Sequence, residues 1–203
     1  VHVVNDKAEL NGLPEDAIAA AADTAQQKNL QGWAFTLHFP SYYPVMQYSE
    51  NQVLRRLMYE AYVTRSSELG PKYGNGKLAW DNTQNMLEQL RLRDEEARLL
   101  GFENYAALSL APKMAQNVSE VDTFLTDFAY KAKPFALKDW QELSEFAKKT
   151  LGMVDGLEPW DIAFASERLK QERYSFSENE LKQYFPLPKV LDGLFQVIQT
   201  LFG

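Results

Sequence analysis

One apolar stripe with helical spacing runs through the second half of the chain and limits its fold most strongly. From residue 119 to residue 151, apolar side chains recur every three or four positions, which places them on one face of an α-helix. At 1.5 Å per residue this helix would be roughly 50 Å long. Pro134 lies inside it and predicts a kink, because the stripe keeps its register across the proline. Gly152 is the expected stop.

Shorter patterns of the same kind predict a mainly helical chain. We expect helices over residues 14–28, 49–69, 82–100, 104–110, 160–173, 178–184 and 186–202, with Ser49 and Ser119 as caps. Residues 33–39 are aromatic and β-branched, which favours a strand, and residues 45–48 would return as a second strand. The predicted fold class is therefore all-α, mainly a helical bundle, with a small β-hairpin or extended segment near residues 33–48.

The size and composition indicate a globular chain. Its 203 residues are 45% hydrophobic and 24% charged, and they would form one large or two small domains. We read residues 1–203 as a single helical segment and expect any subdivision to separate residues 1–115 from residues 116–203. No repeat of solenoid length is present.

The charge balance disfavours polyanionic partners. There are 21 basic and 28 acidic residues, for a net charge of −7, whereas nucleic acids and anionic membranes attract an excess of Lys and Arg. No apolar run approaches the roughly 20 residues of a membrane span. With no cysteine, the chain has no disulfide, thiolate nucleophile or cysteine-held metal. We therefore expect neither a nucleic acid nor a membrane as a partner.

Direct tests for catalytic chemistry find no site. The two histidines, His2 and His38, are far apart in sequence and lack the one-turn spacing of a helical zinc site, so we expect structural roles for both. The loop at residues 70–77 has a Gly-Lys pair, but Pro71 stands where a phosphate loop needs glycine and Leu78 where it needs Ser or Thr. It is better explained as a flexible connection between helices.

Carboxylates and aromatic residues also have simple explanations. Acidic residues such as those at 94–96 and Glu167 lie in helical segments, and the spacing predicts solvated pairs of Arg91 with Glu95 and of Arg168 with Glu172. The aromatic cluster Trp33, Phe35, Phe39, Tyr42 and Tyr43 favours packing in the hairpin over a peptide groove. We therefore predict no catalytic, cofactor-binding or metal-binding residue in this chain.

Several sequence strings, in this order, resemble the thimet oligopeptidase family of zinc metallopeptidases, and its bacterial members most of all. They are Phe-Thr-Leu-His-Phe-Pro-Ser-Tyr-Tyr-Pro-Val-Met at 35–46, Leu-Arg-Arg-Leu-Met-Tyr-Glu-Ala-Tyr-Val-Thr-Arg at 54–65, Leu-Leu-Gly-Phe-Glu-Asn-Tyr-Ala at 99–106, Pro-Trp-Asp-Ile at 159–162 and Tyr-Phe-Pro-Leu at 184–187. Their order and spacing across nearly the whole chain make the match specific.

The resemblance implies a longer, helical, cytoplasmic parent enzyme. In that family, two lobes flank a channel that admits short peptides, and a His-Glu-x-x-His helix with a downstream glutamate holds zinc. This chain lacks that motif, so we expect it to be an internal segment, forming scaffold and channel wall upstream of the motif, without zinc or catalysis of its own. Self-association through faces exposed by truncation is a further expectation. The alternative is a stand-alone helical interaction protein that binds partners through residues 35–48.

Overall fold

The computed structural model of the chain describes residues 1–175 and 178–203, and this part is mainly helical. A two-stranded antiparallel sheet pairs β1, His2–Val4, with β2, Trp33–Phe35. The α-helices of the described part are α1 Glu15–Gln27, α2 Phe39–Tyr48, α3 Gln52–Val63, α4 Gly70–Tyr73, α5 Thr83–Leu99, α6 Tyr105–Leu110, α7 Val118–Thr150, α8 Ile162–Tyr174, α9 Glu178–Lys182 and α10 Leu187–Phe202. Short 3₁₀ helices span Lys7–Leu10 and Leu78–Trp80. The predicted fold class, mainly helical with a small antiparallel sheet, is confirmed.

The partner strand differs from the predicted one. Residues 45–48 do not form a strand but end helix α2, and the partner of β2 lies at the start of the chain. The aromatic content of this segment is typical of strands, but Pro40 lies in the first turn of α2, where its fixed φ is helical. Tyr42, Val45 and Met46 are buried at helical spacing, so packing of this face decides the structure.

Two predicted helix starts are capped by other residues. Asn51, not Ser49, caps α3, because its Oδ1 accepts from Leu54 N at 3.1 Å. Asn117, not Ser119, caps α7, and its Oδ1 accepts from Glu120 N at 2.9 Å. Asn binds these free amides as well as Ser does.

The end of α3 was also placed wrongly. The helix stops at Val63. The Gly70-Pro71 pair was expected to end α3 but instead begins the short helix α4. A proline in the first helical turn removes no hydrogen bond, so the same Gly-Pro pair suits a start as well as a stop. The long helix is confirmed: α7 continues through Pro134 to Thr150.

The chain divides into two compact units, residues 1–58 with 146–203 and residues 59–145. In the first unit, β2 packs on α1, and α2 packs on both α1 and α8. Its buried side chains include Phe35, Val45, Leu54 and Phe164. In the second unit, α5 packs on α6. The subdivision into residues 1–115 and 116–203 stays a prediction.

Exposed large apolar side chains are most numerous on three helices of the described part. On α5 they include Met86, Leu87, Leu90 and Leu92; on α7, Phe124, Leu125, Phe128, Phe135, Leu137 and Trp140; on α10, Val190, Leu191, Leu194, Phe195, Val197, Ile198, Leu201 and Phe202. The accessible surface of the chain is 15002 Å², whereas two separate compact proteins with the masses of the two units would expose about 11,700 Å² together. The chain therefore exposes more surface than two compact proteins of these sizes would. Despite its apolar helices, the described part of the chain has none that meets both the length and the hydropathy of a membrane span.

Candidate functional site

The two histidines lie in different local settings. His2 is half-buried in β1, and burial lowers its pKa below 6.5 against the opposing charge of Glu9. His38 is exposed just before α2, where its carbonyl oxygen accepts from Tyr42 N at 2.9 Å. Over the described ranges, no group of three or more His, Cys, Asp or Glu side chains comes together to hold a metal ion.

The glycine-rich loop connects helical segments, as the sequence predicted. Its first residue starts α4, and its last precedes the 3₁₀ helix Leu78–Trp80. The ammonium groups of Lys72 and Lys77 lie over the rings of Tyr73 and Trp80, at 4.7 and 5.6 Å from the ring centroids. These two lysines therefore lie against aromatic faces.

The charged pairs on helix surfaces follow the prediction in one case and not in the other. Arg91 on α5 binds Glu95 at 3.0 Å, as expected, and also Glu88 at 2.8 Å. Arg168 on α8 does not follow the predicted pairing with Glu172; its Nη2 binds Glu50 Oε1 at 2.9 Å. Arg168 therefore binds the carboxylate of Glu50, next to the start of α3, and not that of Glu172, one helical turn away on α8.

A buried ion pair joins α3 to the start of α8, and the sequence interpretation missed it. Arg55 Nη2 donates to Asp161 Oδ1 at 2.5 Å, and the two side chains are 1% and 0% exposed. Arg55 Nη1 also donates to the carbonyl oxygen of Ser49 at 2.6 Å. The second carboxylate oxygen of Asp161 accepts from Gln52 Nε2 at 2.9 Å. These additional hydrogen bonds offset part of the cost of removing the two charges from water.

Aromatic stacking completes this cluster. The guanidinium of Arg55 lies 4.3 Å from the ring centroid of Phe164, and that of Arg168 lies 5.1 Å from it. The Nε of Arg55 is buried and finds no acceptor among the residues the structure describes. Together with residues 150–156, these side chains line a cavity of about 630 Å³. Asp161 pairs with Arg55 and Glu50 pairs with Arg168, and Asp155 adds a further carboxylate to the cavity wall.

A second buried carboxylate lies on α8 and faces α2. Glu167 is 4% exposed, and its Oε2 accepts from Gln47 Nε2 at 2.9 Å. Its Oε1 accepts from Gln171 at 3.1 Å, and Lys170 Nζ lies 3.7 Å from Oε2. Glu167 was expected on a solvated face, but here it ties two helices together and lines a cavity of about 550 Å³.

The aromatic cluster is split between core and surface. Phe35 and Tyr42 are buried. Phe39 and Tyr43 are exposed and stack with ring centroids 4.9 Å apart, beside a groove of about 370 Å³ between α1 and α2. The expected packing therefore holds for one part of the cluster, and the other part lines a groove.

The described contacts of these buried groups are hydrogen bonds and ion pairs. The buried carboxylates accept hydrogen bonds from arginine or amide donors, and none has a hydroxyl nucleophile among its described partners. A sequence signal for the first pair did exist, because Arg55 stands on the apolar face of α3 between Leu54 and Met58. A charged residue in that position requires a buried partner.

Comparison with known proteins gives one consistent family. The family model "Peptidase family M3" matches residues 45–203. The chain is 51% identical to oligopeptidase A of Escherichia coli over 201 residues, covering 99% of this chain and 29% of that protein. It is 41% identical to a probable cytosolic oligopeptidase A of Arabidopsis thaliana and 26% identical to saccharolysin of Saccharomyces cerevisiae, covering 99% and 100% of this chain and 28% of each relative. The chain thus spans less than a third of the length of these relatives, and it belongs to peptidase family M3.

Proposed function

We propose that this chain is the scaffold and substrate-channel wall of a cytoplasmic zinc-dependent oligopeptidase that hydrolyses short peptides. The observation that carries the proposal is its similarity to proteins named oligopeptidase A along 99% of its length. One of these relatives is named as cytosolic. The buried Arg55–Asp161 pair gives the segment a fixed helix arrangement suited to a wall.

The residues described do not fit a catalytic zinc ion. Zinc in a hydrolase takes three protein ligands from His and carboxylate side chains. Here His2 lies in β1 and His38 before α2, and in the part of the chain described neither belongs to a group of three or more His, Asp or Glu side chains that could hold a metal ion. In the proposal the zinc ligands come from a part of the enzyme outside these 203 residues, and this chain performs no proton transfer.

The exposed apolar helices support a role within a larger protein. A helix that is apolar on most of its surface is normally buried, yet the residues of α10 are all exposed. When two such faces associate, apolar surface is removed from water. Each Å² buried in this way stabilises the complex by roughly 25 cal/mol. We therefore propose that the isolated chain self-associates. Sedimentation at increasing concentration tests this, and a strict monomer at high concentration would contradict it.

Zinc analysis and a peptide-cleavage assay test the catalytic part of the proposal. The purified chain should hold no stoichiometric zinc and should not cleave a fluorogenic oligopeptide. The protein made from the complete reading frame should cleave that peptide, and a chelator should abolish the activity. Chelator-sensitive cleavage by the 203-residue chain, together with bound zinc, would refute the proposal.

A second candidate function is a stand-alone interaction protein without catalysis. It is favoured by the exposed Phe39–Tyr43 stack beside the groove between α1 and α2. The reading frame distinguishes the two: a His-Glu-x-x-His run downstream of the codon for Gly203 supports the peptidase, and a stop codon there supports the stand-alone protein.

A further inference from the structure

The chain contains two Asn-Gly sequences, and the structure holds them very differently. They are Asn11-Gly12, after the first 3₁₀ helix, and Asn75-Gly76, after α4. Glycine leaves the backbone nitrogen that follows asparagine sterically open. That nitrogen can attack the asparagine side chain. We propose that Asn75 is a site of spontaneous deamidation and that Asn11 is protected by the fold. This inference is independent of the proposed function.

The reaction needs only water. The backbone nitrogen of Gly76 attacks Cγ of Asn75, a C–N bond forms, and the side-chain nitrogen leaves as ammonia with the proton from Gly76. Water then opens the resulting cyclic imide at either carbonyl, giving aspartate or isoaspartate. Each conversion adds one negative charge to the chain.

Nothing in the described part of the chain restrains Asn75 by hydrogen bonding. Its side chain is exposed and makes no hydrogen bond there, and neither Asn75 nor Gly76 takes part in a backbone hydrogen bond. The loop nevertheless requires glycine at position 76, because a Cβ there would lie 2.9 Å from the carbonyl carbon of Gly70. Because a side chain does not fit at position 76, the loop keeps its Asn-Gly sequence.

Backbone hydrogen bonds restrain Asn11 and the residues on both sides of it. Its carbonyl oxygen accepts from Glu50 N at 2.9 Å, its own N–H donates to Ala8, and Leu13 N donates to Leu10 at 3.1 Å. Gly12 has φ +85° and packs against the carbonyl oxygen of Tyr48. Closing the imide ring turns ψ of the asparagine to a negative angle, whereas ψ of Asn11 is 136°. Ring closure at Asn11 therefore requires local opening of the structure.

Peptide mapping by mass spectrometry tests the proposal on the intact chain, incubated at mildly alkaline pH and at a temperature where it stays folded. We expect Asn75 to convert on the order of tenfold faster than Asn11, because only Asn11 must first break backbone hydrogen bonds. In concentrated urea the two sites should convert at similar rates. Equal rates in the folded chain, or an Asn11 that stays slow in urea, would overturn the proposal.

Matched substitutions give a second readout. Asn75→Gln should remove the acidic species that forms on incubation, seen by ion-exchange chromatography, and Asn11→Gln should leave it unchanged. Both positions are exposed and both variants keep an amide, so we expect each to fold. Acidic species that persist in Asn75→Gln and disappear in Asn11→Gln would assign the reaction to the wrong loop and contradict the argument.

Discussion

Replacing Arg55 by Met is the sharpest test of how the first unit is held together. The substitution keeps the length and apolar stem of the side chain but removes its charge. It would leave Asp161, 0% exposed, with Gln52 Nε2 at 2.9 Å and the long contact from Glu158 N at 3.4 Å as its remaining described donors. It would also leave the carbonyl oxygen of Ser49 without its 2.6 Å donor.

The size of the effect follows from the burial of the pair. Removing one partner of a buried ion pair costs about 3–5 kcal/mol, because the other charge stays in the protein interior without compensation. Domains are stable by only about 5–15 kcal/mol, so this loss is a large part of the total. With a urea slope of about 2 kcal/mol/M, the unfolding midpoint should fall by about 1.5–2.5 M.

Urea unfolding followed by tryptophan fluorescence measures this loss, since Trp160 directly precedes Asp161 in the same unit. Arg91→Met is the matched control. Arg91 binds Glu88 at 2.8 Å, a comparable distance, but those side chains are 60% and 56% exposed. Water screens exposed pairs, so the control should leave the unfolding midpoint nearly unchanged.

A double-variant cycle with Asp161→Asn isolates the coupling between the two residues. The double variant buries neither charge, so it should be destabilised by clearly less than the sum of the two single losses. The reasoning is refuted if the losses add, or if Arg55→Met lowers the midpoint no more than Arg91→Met does.

Three further predictions concern pH and surface contacts. Burial lowers the pKa of His2, so as pH falls the unfolded chain takes up a proton on His2 at a higher pH than the folded chain does. Folding stability should therefore fall as pH drops below 6.5. The variant His2→Gln should flatten that part of a stability-versus-pH curve. The hydroxyl and amide of Thr83 donate to Asp81 and lower its pKa below 3.8, so this carboxylate adds stability above pH 3.8 that is lost as pH falls through its lowered pKa. Thr83→Ala should move the Asp81 pKa back toward 3.8 in an NMR titration. Finally, Leu194→Glu on α10 should weaken self-association in sedimentation experiments, because it places a charge on the exposed apolar helix.

Local signals were sufficient to predict most helices. The long stripe of α7 predicts one helix to within a residue or two, because a regular spacing over so many positions fits no other structure. The predicted helix over residues 104–110 is also present as α6, and Asn104 caps it by accepting from Ala107 N at 3.0 Å. These features depend on residues a few positions apart, which is the range that a sequence pattern describes.

The errors arose where residues distant in sequence decide the structure. Residues 45–48 were expected to form a strand, but they belong to α2, which packs on α1 and α8. The partner of β2 comes from the start of the chain, and no pattern within residues 33–48 could indicate that. Tertiary contacts override local preference in both cases.

The buried polar contacts were the least predictable feature, because the residues that form them are far apart in sequence. Arg55 and Asp161 are separated by 106 positions, and Gln47 and Glu167 by 120. A helical pattern shows that Arg55 lies on a buried face, so it indicates that a partner exists, but it cannot choose that partner among 28 acidic residues. Only the packing of α2 and α3 against α8 and its preceding turn makes the choice. The Leu-Arg-Arg-Leu and Pro-Trp-Asp-Ile strings, which both carried the family resemblance, thus contain the two halves of one ion pair.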